Sequence, residues 1–162
     1  MQETKTQGRD RNVEKLIQNC KDAIKAREES EARAARVYQE RLALAERTME
    51  LVVHPCLHEL SDWLVGQGVK CELFEANEGA NKGLCLRFYP PGFQLSAAAA
   101  PDILIQFRRD HLQFALTASA GRIALETEPP AVFLKLEEVN KDAIKHQVIK
   151  FLEIIFEAAT ES

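Results

Sequence analysis

Apolar residues change their spacing once along the chain, and the change separates a helical part from a sheet-forming part. Between Gly8 and Pro55 there is no glycine or proline, and the segment is rich in Ala, Glu, Arg, Lys and Leu. All of these residues favour the helix. The pattern predicts one helix over Asn12–Val53, on the order of 63 Å long at 1.5 Å per residue. We expect a bend near Pro55, because proline removes a backbone hydrogen bond and clashes with the preceding turn.

Apolar positions in this helix alternate between spacings of three and four residues, as they do in a coiled coil. The positions are Ala35, Tyr38, Leu42, Ala45, Met49, Val52 and Cys56. We expect the first six to form the contact between two copies in a homodimer. The alternative is that the helix is kinked and packs on its own sheet. A shorter apolar stripe precedes this seam and consists of Val13, Ile17, Cys20 and Ile24.

After Gly68 the apolar residues recur at every second position, which is typical of half-buried β-strands. Six segments show this alternation: 69–73, 84–89, 103–108, 112–117, 122–126 and 132–137. Pairing apolar with apolar residues across short turns predicts an antiparallel meander of five or six strands between Val69 and Glu137, apolar on one face. The predicted pairs are Leu73 with Leu84, Phe107 with Leu112, and Leu116 with Ile123. The same parity puts Cys71 and Cys85 on opposite faces.

The C-terminal segment has the pattern of a helix that covers the apolar face. Asn140 can cap its first turn, and a broad apolar stripe follows at Ile144, Val148, Phe151, Leu152, Ile155 and Ala159. The predicted fold is therefore α+β: a long, coiled-coil-like N-terminal helix, a meander sheet, and a C-terminal helix packed on one sheet face. We divide the chain into a helical segment, 1–54, and a globular domain, 55–162.

Composition and charge narrow the classes of partner and compartment. The 162 residues are 46% hydrophobic and carry a net charge of −4, which suits a globular protein and disfavours nucleic acid. No apolar run approaches the ~18 residues of a membrane span. The start, Met1–Arg11, is polar and does not read as a signal peptide. We expect a cytoplasmic protein that binds no nucleic acid or membrane and has free thiols, because its four cysteines form no CxxC pair.

The histidine pair His54 and His58 is the strongest candidate for a metal site. Residues four apart lie on the same face of a helix and can share a metal ion. However, Pro55 disturbs the helix between them, and no third ligand lies nearby in sequence. We therefore expect surface histidines and no metal or cofactor, and the sequence contains no nucleophile or phosphate-loop motif that would indicate an enzyme.

These observations favour a non-enzymatic adaptor or scaffold that self-associates through its long helix and binds another protein. The polar face of the sheet offers a partner surface that combines charged and aromatic side chains. Its expected members are Lys70, Glu72, Phe74, Arg87, Tyr89, Leu104, Gln106, Arg108, Gln113, Thr117, Arg122, Glu126, Phe133 and Lys135. Two alternatives remain: a small acidic chaperone of the secretion type, and an α+β domain that binds or converts a small molecule between sheet and helices.

Overall fold

Helix-forming residues without an internal breaker produce the long helix that the sequence predicts. The computed structural model describes the backbone of residues 2–161 and the side chains of residues 7–161. Helix α1 spans Gln2–Thr48. A π-helical turn, Met49–Val53, continues it into helix α2, His54–Gly66. Helix throughout Asn12–Val53 is therefore confirmed.

A π-helical turn lies directly before Pro55, at the place where the sequence predicts a bend. Pro55 lies in the first turn of α2, where a missing N–H is tolerated. In a regular α-helix its ring would clash with the carbonyl of Leu51. An i→i+5 turn at this place changes the hydrogen bonding of that carbonyl and keeps the chain helical.

The chain forms two compact units, Met1–Arg41 and Leu42–Ser162. The second unit begins upstream of the division at 54/55 that we drew from the sequence. The reason is burial: Leu42, Ala45 and Met49 have exposures of 8%, 1% and 8%. These side chains belong to the core of the second unit.

The sheet is an antiparallel meander of five strands in the order β1-β2-β3-β4-β5, as predicted. The strands are β1 Lys70–Glu75, β2 Gly83–Tyr89, β3 Asp102–Arg108, β4 Gln113–Ser119 and β5 Val132–Lys135. The sixth expected strand, 122–126, does not form. The N–H of Arg122 instead donates to the carbonyl of Ala99 (2.9 Å) and that of Ile123 to Ala120 (3.0 Å). The chain therefore turns away from β4 at this point, and Leu116 pairs with Val132 rather than with Ile123.

The register of the first and third hairpin differs from the prediction by two residues. Leu73 pairs with Leu86, and Phe107 with Phe114. The β3–β4 connection has four residues rather than two, and its last residue, Leu112, has φ +49°. Because the shift is even, each side chain stays on its expected face. Cys71 and Cys85 lie on opposite faces, as predicted, and both are free.

Two helices cover the apolar face of the sheet. Helix α2 packs on β1 and β2 and buries Leu57, Leu60 and Leu64. Helix α3, Lys141–Glu161, buries five of the six residues of its expected stripe, and the sixth, Ala159, is half-buried. The ring of Phe156 in α3 lies 5.5 Å from that of Phe88 in β2. The α+β fold with a C-terminal helix on one sheet face is therefore confirmed.

Candidate functional site

Helix α1 is exposed to solvent over most of its described length in the first unit. Every side chain from residue 7 to residue 37 is exposed. Among them are four large apolar residues with exposures of 50–55%: Val13, Leu16, Ile17 and Ile24. Three of these belong to the apolar stripe that precedes the predicted seam. We call the set Val13, Leu16, Ile17, Cys20 and Ile24 the N-terminal stripe.

The six residues expected at the dimer contact have different environments. Ala35 is exposed, and Tyr38 and Val52 are half-buried. Leu42, Ala45 and Met49 are buried within the second unit, where they line a small cavity together with Phe107 and other residues. For these three positions the structure has the alternative arrangement, in which the helix packs on its own domain. They cannot form an intermolecular seam without opening that core.

The side of the sheet opposite α2 and α3 carries a mixed polar and aromatic surface. Strand alternation brings these residues together, and we call them the open sheet face: Lys70, Glu72, Phe74, Cys85, Arg87, Tyr89, Asp102, Leu104, Gln106, Arg108, Gln113, Ala115, Thr117, Ser119, Phe133 and Lys135. All the expected members are present except Arg122 and Glu126. Those two lie on the segment that does not form a strand. Cys85, Gln106 and Ala115 are buried in the floor of the face.

Each of the three aromatic rings on the open sheet face has a cation near it. The Arg87 guanidinium carbon lies 4.6 Å from the centre of the Phe74 ring. The Lys70 ammonium lies 5.2 Å from Tyr89, and the Arg108 guanidinium carbon lies 5.8 Å from Phe133, which is 48% exposed. Sequence parity placed these residues on one face, but it did not pair them. The pairs depend on cross-strand register, which the sequence prediction missed by two residues.

The acidic groups of the open sheet face lie around Arg87. An N–H of its guanidinium donates to the Glu72 carboxylate at 3.3 Å. Its Nε is buried and has no hydrogen-bond partner. Burial raises the pKa of Asp102 above its ordinary value, and the nearby Arg87 charge partly offsets this effect. The face therefore has a region on β1–β3 in which Lys70 and Arg87 balance Glu72 and Asp102, and a basic region at Arg108 and Lys135.

The thiols of the second unit are held in their protonated form. Burial raises the pKa of Cys71 to about 11. Burial, and secondarily the charge of Asp102, raises the pKa of Cys85 to about 12. Burial also raises the pKa of Cys56, with a smaller contribution from Glu59. Since the thiolate is the reactive form, these three cysteines have the environment of structural rather than nucleophilic groups.

The two candidate metal ligands lie near each other on the surface of the second unit. The rings of His54 and His58 are stacked with their centres 6.1 Å apart. His54 is half-buried and His58 is exposed. Within residues 7–161, no group of three or more His, Cys, Asp or Glu side chains is arranged to hold a metal ion.

A groove between α2 and α3 is a feature that sequence reasoning missed. Its lining is mostly apolar and consists of Trp63, Leu64, Gln67, Val69, Ile149, Leu152, Glu153 and Phe156. Trp63 is 56% exposed at its edge. The available signal was the position of Trp63 beside the Leu57–Leu60–Leu64 stripe, but only the packing of α3 against α2 creates the groove.

Comparison with known proteins adds no assignment to these surfaces. In the described part of the chain, no helix has the length and apolarity that a membrane crossing requires. No protein-family model matches the sequence, and no curated protein or solved structure is similar enough to count as a match.

Proposed function

We propose that this protein is a non-enzymatic adaptor or scaffold that self-associates through α1. One observation carries the proposal: α1 holds the N-terminal stripe in a segment whose described side chains, 7–37, are all exposed. Apolar side chains at helical spacing normally face a packing partner.

The physical argument concerns the stability of an unpacked helix. Helix propagation in water is only slightly favourable, so most helical stability in proteins comes from packing of an apolar face. Complete burial of one Val, Leu or Ile side chain contributes roughly 1.5–3 kcal/mol. Contact between the stripes of two copies would supply this burial on both helices at once.

The proposed dimer contact lies nearer the N-terminus than the seam predicted from the sequence. Leu42, Ala45 and Met49 are buried in the second unit, so we assign self-association to the N-terminal stripe. Ala35, which is exposed, can extend the contact. The raised pKa values of Cys56, Cys71 and Cys85 disfavour thiolate chemistry and support a binding role over a catalytic one.

Light scattering after size-exclusion chromatography tests the proposal directly. Ile17→Glu combined with Ile24→Glu places two charges in the stripe and should convert the protein to a monomer. The matched control is Asn19→Glu combined with Ala26→Glu. Its two positions are also seven residues apart and it makes the same change in charge, but it lies on another side of the helix.

The control should keep the oligomeric state of the unaltered protein. Circular dichroism at high protein concentration should show less helix for the stripe variant, because an unpaired helix frays. A monomeric unaltered protein would contradict the proposal. So would a stripe variant that remains as oligomeric as the control.

A further inference from the structure

The open sheet face differs in charge from the unit that carries it. The second unit, Leu42–Ser162, contains 11 Lys and Arg against 17 Asp and Glu, a net charge of −6. The open sheet face instead has four cations and two carboxylates, a net charge of +2: Lys70, Arg87, Arg108 and Lys135 against Glu72 and Asp102. A positive surface on an acidic unit attracts a negatively charged partner and orients it on approach.

Lys70 and Arg87 are balanced by the two carboxylates of the face. The remaining positive charges are Arg108 on β3 and Lys135 on β5. Cross-strand pairing aligns Arg108 with Gln113 and Gln113 with Lys135. Neighbouring strands are about 4.8 Å apart, so the backbones at Arg108 and Lys135 are separated by about 10 Å. Phe133 stands two residues before Lys135 on the same face and is 48% exposed. Two cations, an amide and an exposed ring thus form one patch, which we call the basic end; the Glu138 carboxylate, which accepts the backbone N–H of Lys135 at 3.3 Å, lies at its edge.

We propose that the basic end binds an acidic segment of another protein, with carboxylates at Arg108 and Lys135 and an aromatic or aliphatic side chain against Phe133. Arg108 offers a planar fork of donors that suits a carboxylate. The Arg108 guanidinium carbon lies 5.8 Å from the centre of the Phe133 ring. This contact already restricts the conformations of the Arg108 side chain, so less conformational entropy is lost on binding. Arginine and aromatic residues are the types enriched where protein interfaces gain most of their affinity.

The same surface is less suited to a nucleic acid. A nucleic acid carries a charge at every nucleotide, so beyond the basic end its backbone would meet the unit's net charge of −6 and the carboxylates Glu72 and Asp102. Leu104 and Ala115 add an apolar component to the floor, which suits a protein segment that presents a few carboxylates among apolar side chains. The inference extends the proposed adaptor function to a second surface and does not depend on pairing of α1.

Fluorescence anisotropy with a labelled random copolymer of glutamate and tyrosine tests the proposal. Arg108→Glu combined with Lys135→Glu should weaken binding about tenfold, as expected for reversing two contacts that each contribute modestly. The matched control is Lys145→Glu combined with Lys150→Glu, which makes the same change in charge at two exposed positions of α3. The control should stay within about twofold of the unaltered protein.

A second variant and a second probe complete the design. Phe133→Ala keeps every charge and should also weaken binding, with an effect that persists when salt screens the ionic contacts. If the charge-reversed variant does not fold, Phe133→Ala alone decides the matter, because the residue is exposed and its removal leaves the core intact. A labelled single-stranded oligouridylate is titrated in parallel.

Three outcomes would overturn the proposal. The first is that the unaltered protein does not bind the copolymer, and the second is that the basic-end and control variants weaken binding equally. The third is that the basic-end variant abolishes binding of the oligouridylate but leaves copolymer binding unchanged. None of these results affects the oligomeric state measured by light scattering. Failure of this inference is therefore distinguishable from failure of self-association.

Discussion

Gly121→Ala should destabilise the second unit more than Gly79→Ala does, although the two glycines have the same backbone conformation. Both have φ +59°, in the left-handed region where a Cβ costs roughly 1–2 kcal/mol. At Gly79 an added Cβ would have no heavy atom within 4 Å. At Gly121 it would overlap the carbonyl oxygen of Ala99 and lie 2.8 Å from the carbonyl carbon of Ala100.

The size of the difference follows from these contacts. Ala99 and Ala100 are buried, and the clashing atoms belong to the backbone, so relief requires the turn at Gly121 to shift. Overpacking of this kind typically costs about 1–3 kcal/mol. We therefore expect Gly79→Ala to lose about 1–2 kcal/mol and Gly121→Ala about 2–5 kcal/mol of unfolding free energy.

Urea titration followed by the fluorescence of Trp63, the single tryptophan, measures both losses in the second unit. With an m-value of about 2 kcal/mol per molar, each kcal/mol lowers the midpoint by about 0.5 M. Equal midpoints for the two variants would refute the reasoning. That result would mean that the close approach of Gly121 to Ala99 does not hold the turn in which Arg122 bonds to Ala99.

Two further predictions concern a helix cap and a buried thiol. Asn140→Ala should lower the unfolding free energy by about 1 kcal/mol in the same titration, because its side-chain oxygen accepts the first-turn N–H of α3 at 2.8 Å; Asn140→Asp should retain most of that stability, and equal losses would contradict the capping role. Cys85, with its pKa raised to about 12, should resist alkylation at pH 8 in the folded protein and react once the protein is unfolded in urea, as measured by mass spectrometry. Between pH 9 and pH 12 the unfolded chain releases the Cys85 proton that the folded chain retains, so the unfolding free energy should fall with rising pH, and Cys85→Ala should reduce that slope; an unchanged slope would contradict the assignment.

Local features of the sequence determined the elements and their faces. Helix α1 could be predicted because a long segment of helix formers contains neither proline nor a second glycine. The meander and its apolar face followed from period-two alternation, and the start of α3 followed from Asn140. These signals involve neighbouring residues, whose preferences act wherever the segment lies in the fold.

Tertiary structure decided what depends on contacts between distant segments. The sequence could not show that the chain at Arg122 would bond to Ala99 instead of to β4, because the alternation at 122–126 is that of a strand. It could not distinguish a coiled-coil seam from a helix packed on its own sheet, since both need apolar residues at the same spacing. In the structure, Leu42, Ala45 and Met49 are buried within the second unit, whereas the N-terminal stripe is exposed. The physical reason is that spacing specifies which side of a helix is apolar, whereas burial depends on which surface lies opposite that side.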